Sequence, residues 1–131
     1  MCLLCSITLY AKDYTLKLYE TLSNELFESV PVIVYADSKS AIRLQKSEKF
    51  YVSHSCNEDV DFLVGSHFGH LSPLCQNKPL FATTKRAYKK YKNAFGAFYW
   101  TKGRPQIHFN PKVLKQFHFV LPQNLKRFQD E

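Results

Sequence analysis

From Leu71 to Gln129 the chain carries twelve lysines and arginines and no acidic residue. Five of these cations, Lys85, Arg86, Lys89, Lys90 and Lys92, fall within eight positions. On a helix, like charges three or four residues apart repel by a few tenths of a kcal/mol per pair, so the arrangement is unfavourable until an anion offsets it. Lys102 and Arg104 flank Gly103 a few residues after Phe95, Phe98, Tyr99 and Trp100. Cations that hold phosphates, set beside rings that stack on bases, are what single-stranded nucleic acid requires. These seven cations are the candidate nucleic-acid contacts, DNA or RNA. Two plainer readings stand beside this one: the rings form the core of a small domain, or the basic face meets an acidic protein partner. None of the recognised nucleic-acid-binding motifs is present.

The charge is divided unevenly. Met1 to His70 carries a net charge of −3 and Leu71 to Glu131 a net +10, a division that suggests a polyanionic partner for the second half.

The first half offers carboxylates instead. Val32 to Ala36 reads as a strand ending in Asp37. In open α/β sheets ligands sit outside the carboxyl ends of parallel strands, where an acid can accept from a ribose or hold a metal. With Asp59 and Asp61, Asp37 defines the alternative function: a small enzyme acting on a nucleotide-containing substrate.

Four cysteines and five histidines complete the reactive inventory. The Cys2-x-x-Cys5 pair, with Cys56, Cys75, His54, His67 and His70, has the residue types of a zinc site. Yet Cys2 to Leu9 is a continuous apolar run without the turn residues a zinc knuckle needs. The expectation is four reduced, buried thiols, no metal and no cofactor. His67 or His70, in a Gly-containing loop, is a candidate general base and Cys56 a conceivable nucleophile. His108 and His118 alternate with apolar neighbours and read as partly exposed strand residues. A Walker loop, GxGxxG, HExxH and GxSxG are all missing.

Two local resemblances involve the same acids. Ser6 to Asp37 is loosely similar to the start of nucleotide-sugar glycosyltransferases, with Asp59-Val60-Asp61 resembling their metal-binding DxD. Tyr35-Ala36-Asp37-Ser38-Lys39-Ser40-Ala41-Ile42 resembles the strand-to-helix turn of retroelement ribonuclease H domains, in which the Asp holds a catalytic metal; Glu20, Asp59 and Asp61 would then supply further carboxylates. Neither pattern is completed. The apolar strand follows the DxD instead of preceding it, and Cys2 to Tyr10 contains no acid.

The elements that must position these groups follow from periodicity. Cys2 to Tyr10 reads as a buried strand. Asp13 to Ser29 reads as a helix, with Leu16, Tyr19, Leu22, Leu26 and Val30 on one face and Asp13 as cap. With Val32 to Ala36 this makes an N-terminal β-α-β unit, its two strands parallel neighbours. Ser38 to Gln45 reads as a short helix capped by Ser38, Lys49 to Ser53 and Phe62 to Val64 as strands, and Gly65 to Asn77 as the main loop. Pro79 to Lys92 is the expected basic helix. Ala94 to Thr101 and Gln106 to Phe109 form a hairpin, Pro111 to Gln116 a helical turn or two, Phe117 to Leu121 a last strand, and Gln123 onward a frayed helix. The fold class is α/β (or α+β): one domain over residues 1–131, with a single mixed sheet. No apolar run approaches the ~20 residues that span a bilayer. Met1 to Cys5 lacks the basic residues and cleavage site of a secretory leader, which points to a cytoplasmic or nuclear protein without membrane contact.

Overall fold

The computed structural model describes residues 3–130, with side chains from Tyr14 onward. Its centre is one six-stranded sheet of order β2-β1-β3-β4-β5-β6. The strands are β1 (Val32–Ala36), β2 (Phe50–Val52), β3 (Phe62–Val64), β4 (Leu80–Ala82), β5 (Ala94–Thr101) and β6 (Arg104–Phe109). The first five are parallel, and β6 returns antiparallel against β5. The mixed α/β class is as the sequence suggests.

Parallel strands covered on both faces need apolar side chains on both. Phe62-Leu63-Val64 and Leu80-Phe81-Ala82 meet that need, since all six residues are buried. Phe62, Val64, Phe81, Phe95 and Phe109 face one core layer. There they meet Leu18, Tyr19 and Leu22 of helix α1 (Leu3–Leu26), Leu44 of α2 (Ser38–Leu44), and Val113 and Leu114 of α5 (Pro111–Gln116). On the other face Leu63, Leu80, Ala82 and Ala97 pack with Cys75 of α3 (Pro73–Gln76) and Ala87 of α4 (Lys85–Lys90). The strand order explains this division. The chain steps from β1 to β2 in one direction, and from β3 through β4 to β5 in the other. Right-handed crossovers then place α2 on one face and α3 and α4 on the opposite one.

Four sequence expectations give way. The strand over Cys2 to Tyr10 is not formed: α1 is continuous from Leu3 to Leu26, so Asp13 lies inside a helix instead of capping one. A short uncharged run has no period that separates strand from helix, and joined to the amphipathic stretch behind it, it extends a helix. The β-α-β unit is therefore β1-α2-β2, with the strands in parallel register Val32 to Phe50. Second, the helix from Pro79 to Lys92 is only α4, because Leu80–Ala82 is taken into the sheet between β3 and β5. Thr84 caps α4 by accepting from the Ala87 N–H at 3.1 Å. Third, Phe117 to Leu121 is not a strand. His118 adopts a positive φ of 59°, and the chain continues irregularly into a 3₁₀ helix, Gln123–Phe128.

The fourth correction concerns sulfur. Cys56 and Cys75 are joined in a disulfide, so the expectation of four free thiols fails and Cys56 is no nucleophile. The bond ties the β2–β3 connection to α3, beneath the second core layer. Cys2 lies outside the described residues and the Cys5 side chain is among those not described, so the CxxC reading has no counterpart here. Among the described residues no helix is long and apolar enough to cross a membrane.

Candidate anion-binding cleft at the carboxyl edge of the sheet

Asp37 follows β1 directly, as its place in the sequence implies, at the point where the strand order reverses between β1 and β3. Its carboxylate points into the protein. Oδ1 accepts from the Ser40 N–H at 3.0 Å, which caps α2 in place of the expected Ser38. Oδ2 accepts from the N–H groups of Ser66 at 2.7 Å and His67 at 3.1 Å, beyond the end of β3. Burial pushes this carboxyl up, but the donors from Ser66, Ser40 and His67 outweigh it and hold the group below its ordinary value. Gly65 makes the approach possible. Its φ is +142°, and a Cβ there would stand 2.5 Å from the Asp37 carboxyl carbon.

Around this anchor opens a cleft of about 250 Å³, walled by the carboxyl ends of β1, β3, β4 and β5. Lys39 and Arg43, four residues apart on α2, share the helix face that borders it. His67, Thr83, Thr84, Tyr99 and Trp100 supply the rest of the wall. Arg43 lies beside the Tyr19 hydroxyl, whose pKa burial raises to about 12 despite that cation. The Ser66 and Thr83 hydroxyls are 2.8 Å apart, and Thr84 donates to Ser66 at 3.1 Å, so the polar floor is internally bonded. Trp100 is 53% exposed and meets Phe98 edge-on at 5.9 Å. The chain matches no protein-family model and no curated protein. The cleft must therefore be read from its own chemistry.

The seven cations singled out in the sequence are all exposed. Among the described residues no carboxylate pairs with any of them; Lys90 instead lies over the Tyr91 ring at 5.4 Å. The structure brings some together and separates others. Lys102 and Arg104 sit at the tip of the β5–β6 hairpin, which continues past Trp100 from the carboxyl edge. Lys102 and Gly103 form its two-residue turn with φ of 51° and 77°, both left-handed. Arg86 and Lys90 line a shallow hollow with Ser66, His67 and Thr84, adjoining the cleft through His67 and Thr84. Lys92 lies past the end of α4, beside His70 and Asn93. Lys85, Lys89 and Lys92, which would share one face of the expected helix over Pro79 to Lys92, do not form a row, because the helix stops at Lys90.

The carboxylates do not converge. Asp61 Oδ2 accepts from the Ser29 hydroxyl at 2.9 Å and the Ile33 N–H at 2.8 Å, at the amino edge of the sheet. Four strand residues separate that level from Asp37, or roughly 13 Å. Asp59 is exposed in a turn in which its N–H donates to Asn57. Among the described residues no group of three potential ligands could hold a metal.

Lys39, Arg43 and Thr84 are the members that sequence reasoning passed over. A signal existed: positions two and six after a strand-ending Asp that caps a helix fall on one helical face beside the strand end.

Proposed function

We propose that this protein binds nucleic acid across the carboxyl edge of its sheet, with one nucleotide unit entering the cleft. The observation that carries this reading is the orientation of Asp37. Among the described residues it is the one carboxylate lining the cleft, and both its oxygens are taken up by backbone N–H groups. Lys39, Arg43 and His67 therefore face the opening with no competing acid among the described residues. Lys102 and Arg104 extend the positive surface along the hairpin, and the exposed Trp100 between them and the cleft offers a ring for a base. The footprint differs from a phosphate-tracking helix face. It runs from α2 across the strand ends to the hairpin, with Arg86 and Lys90 at its margin.

A salt series tests it. Binding of a single-stranded oligonucleotide at low ionic strength should weaken linearly in log–log form, each neutralised phosphate adding about 0.7 to the slope. No binding of single- or double-stranded DNA or RNA at low salt defeats the proposal and leaves an acidic protein as the partner to try. A second reading has its own support: nucleotides bind open α/β sheets at the reversal of strand order, which is where this cleft lies. A mononucleotide would then bind as tightly as the oligonucleotide, with His67 the one imidazole at hand to carry a proton.

A further inference from the structure

The shape of the cleft limits which part of a nucleic acid can enter it. Its volume of about 250 Å³ is below the roughly 300 Å³ at which pockets for drug-sized ligands begin, so it has room for one nucleotide unit and no more. Five elements contribute to its wall: α1 with Tyr19, α2 with Lys39 and Arg43, the segments after β3 and β4 with His67 and Thr84, and β5 with Trp100. A strand threading the cleft needs both an entrance and an exit between these elements. A strand end needs only the opening beside the exposed Trp100.

The charges point the same way. An internal phosphate is a diester with a single negative charge, whereas a phosphomonoester, with a second pKa of about 6, carries about −1.5 to −2 at pH 7 and has three strongly accepting oxygens. Lys39 and Arg43 set two cations on one face of α2. Asp37, the one carboxylate in the wall among the described residues, is occupied by the N–H groups of Ser40, Ser66 and His67. Two cations against one diester leave a charge unmatched; a dianion matches both. Arg43 is also held in place. It is half-buried, and its guanidinium lies beside the hydroxyl of Tyr19, a residue only 1% exposed. That hydroxyl occupies one edge of the guanidinium and leaves the remaining donors for paired contacts to phosphate oxygens.

We propose that the cleft selects the phosphorylated end of a strand, with the terminal phosphomonoester seated on Lys39 and Arg43 and the terminal base toward Trp100. This rests on the nucleic-acid reading above and narrows it from any single strand to one bearing a terminal phosphate. A 5′-phosphate and a 3′-phosphate share this chemistry, and the measurement separates them.

The test uses the full chain and one short single-stranded oligonucleotide in three forms: hydroxyl at both ends, a 5′-phosphate, and a 3′-phosphate, all at the same low ionic strength. At least one phosphorylated form should bind about tenfold or more tighter than the hydroxyl form, the scale of one added charge-assisted hydrogen bond. The form that gains shows which end is held. Arg43→Gln should reduce the preference to about threefold or less, and Lys39→Gln, at an exposed side chain, should reduce it in the same direction. Equal binding of the three forms overturns the strand-end selection and leaves nucleic-acid binding standing. Binding of no form, as DNA or as RNA, removes the nucleic-acid reading and this inference with it. A preference that survives intact in Lys39→Gln, or in a folded Arg43→Gln, overturns the seat assigned to the phosphate.

Discussion

Asp37 and Ser66, 29 residues apart, are joined by a 2.7 Å hydrogen bond from the Ser66 N–H to the Asp37 carboxylate. That bond fixes the end of β1 against the end of β3, at the place where the strand order reverses. The carboxylate that the sequence suggests as a ligand-binding group is spent on holding the loop after β3 and the start of α2.

Replacing it should therefore cost stability. Asp37→Asn loses the charge and turns an amide N–H₂ toward backbone donors, with an expected loss of about 3 kcal/mol in urea unfolding. The pH dependence follows from the sign of the shift. A folded pKa held below the usual carboxylate value of about 3.9 contributes stability that is complete above that value and is lost as pH falls through the folded one. Unfolding midpoints measured below pH 4 should fall more steeply for the parent than for Asp37→Asn.

Gly65→Ala is expected to be as damaging, at about 2 to 4 kcal/mol. The new methyl group falls on the Asp37 carboxyl group, and the φ of +142° is one that alanine rarely adopts. Thermal unfolding of this variant beside Gly103→Ala isolates the contribution of the carboxylate contact. Gly103 also has a positive φ, but a Cβ there meets nothing within 4 Å.

At the far end of the chain, Asp130 accepts from the Tyr88 hydroxyl at 2.6 Å and lies 3.0 Å from Nδ1 of His108. The Tyr88 and Tyr99 rings stack on the His108 imidazole. Burial, and then the hydrogen bond and charge of Asp130, push the Tyr88 phenol far above its usual value. A raised folded pKa gives stability that is complete below about pH 10, the unfolded value, and is lost as pH rises through the folded one. Tyr88→Phe should cost about 1 kcal/mol at neutral pH. It should also flatten the alkaline limb of a stability profile measured above pH 10.

Reduction of the Cys56–Cys75 bond should lower unfolding free energy by about 3 kcal/mol, the loop-closure contribution for a separation of this size. Urea titrations with and without a dithiol give the difference directly.

Lys39→Ala and Trp100→Ala test the ligand surface with little risk to the fold, since both side chains are exposed. If the oligonucleotide follows the proposed route, Lys39→Ala lowers the salt slope by about 0.7. Trp100→Ala leaves the slope unchanged and weakens binding by about 1 to 3 kcal/mol. Equal effects of the two on the slope would count against a stacking role for Trp100.

Much of this fold is legible in local sequence because local geometry decides it. Val32–Ala36 is β-branched and aromatic, and Asp37 behind it is a helix-capping residue type. Lys102-Gly103 sits between two strand-forming runs and can only be a tight turn. The start of α1 and strand β4 were decided elsewhere. Cys2 to Tyr10 carries no period of its own, and Leu80-Phe81-Ala82 after Pro79 suits the first turn of a helix until β3 and β5 offer backbone partners on both sides. Phe119 belongs to no strand, yet it meets Phe27 and Phe95 edge-on at 5.2 and 5.3 Å, because burial of the ring does not require a ladder around it. The site divides in the same way. Residue types marked Asp37 and the basic hairpin, since charge and turn chemistry are properties of a few neighbouring positions. The inward turn of the Asp37 carboxylate, the company of Lys39 and Arg43 with Trp100, and the Cys56–Cys75 bond depend on which strands lie side by side. That order is set by burying both faces of the sheet at once, a condition that no single segment carries.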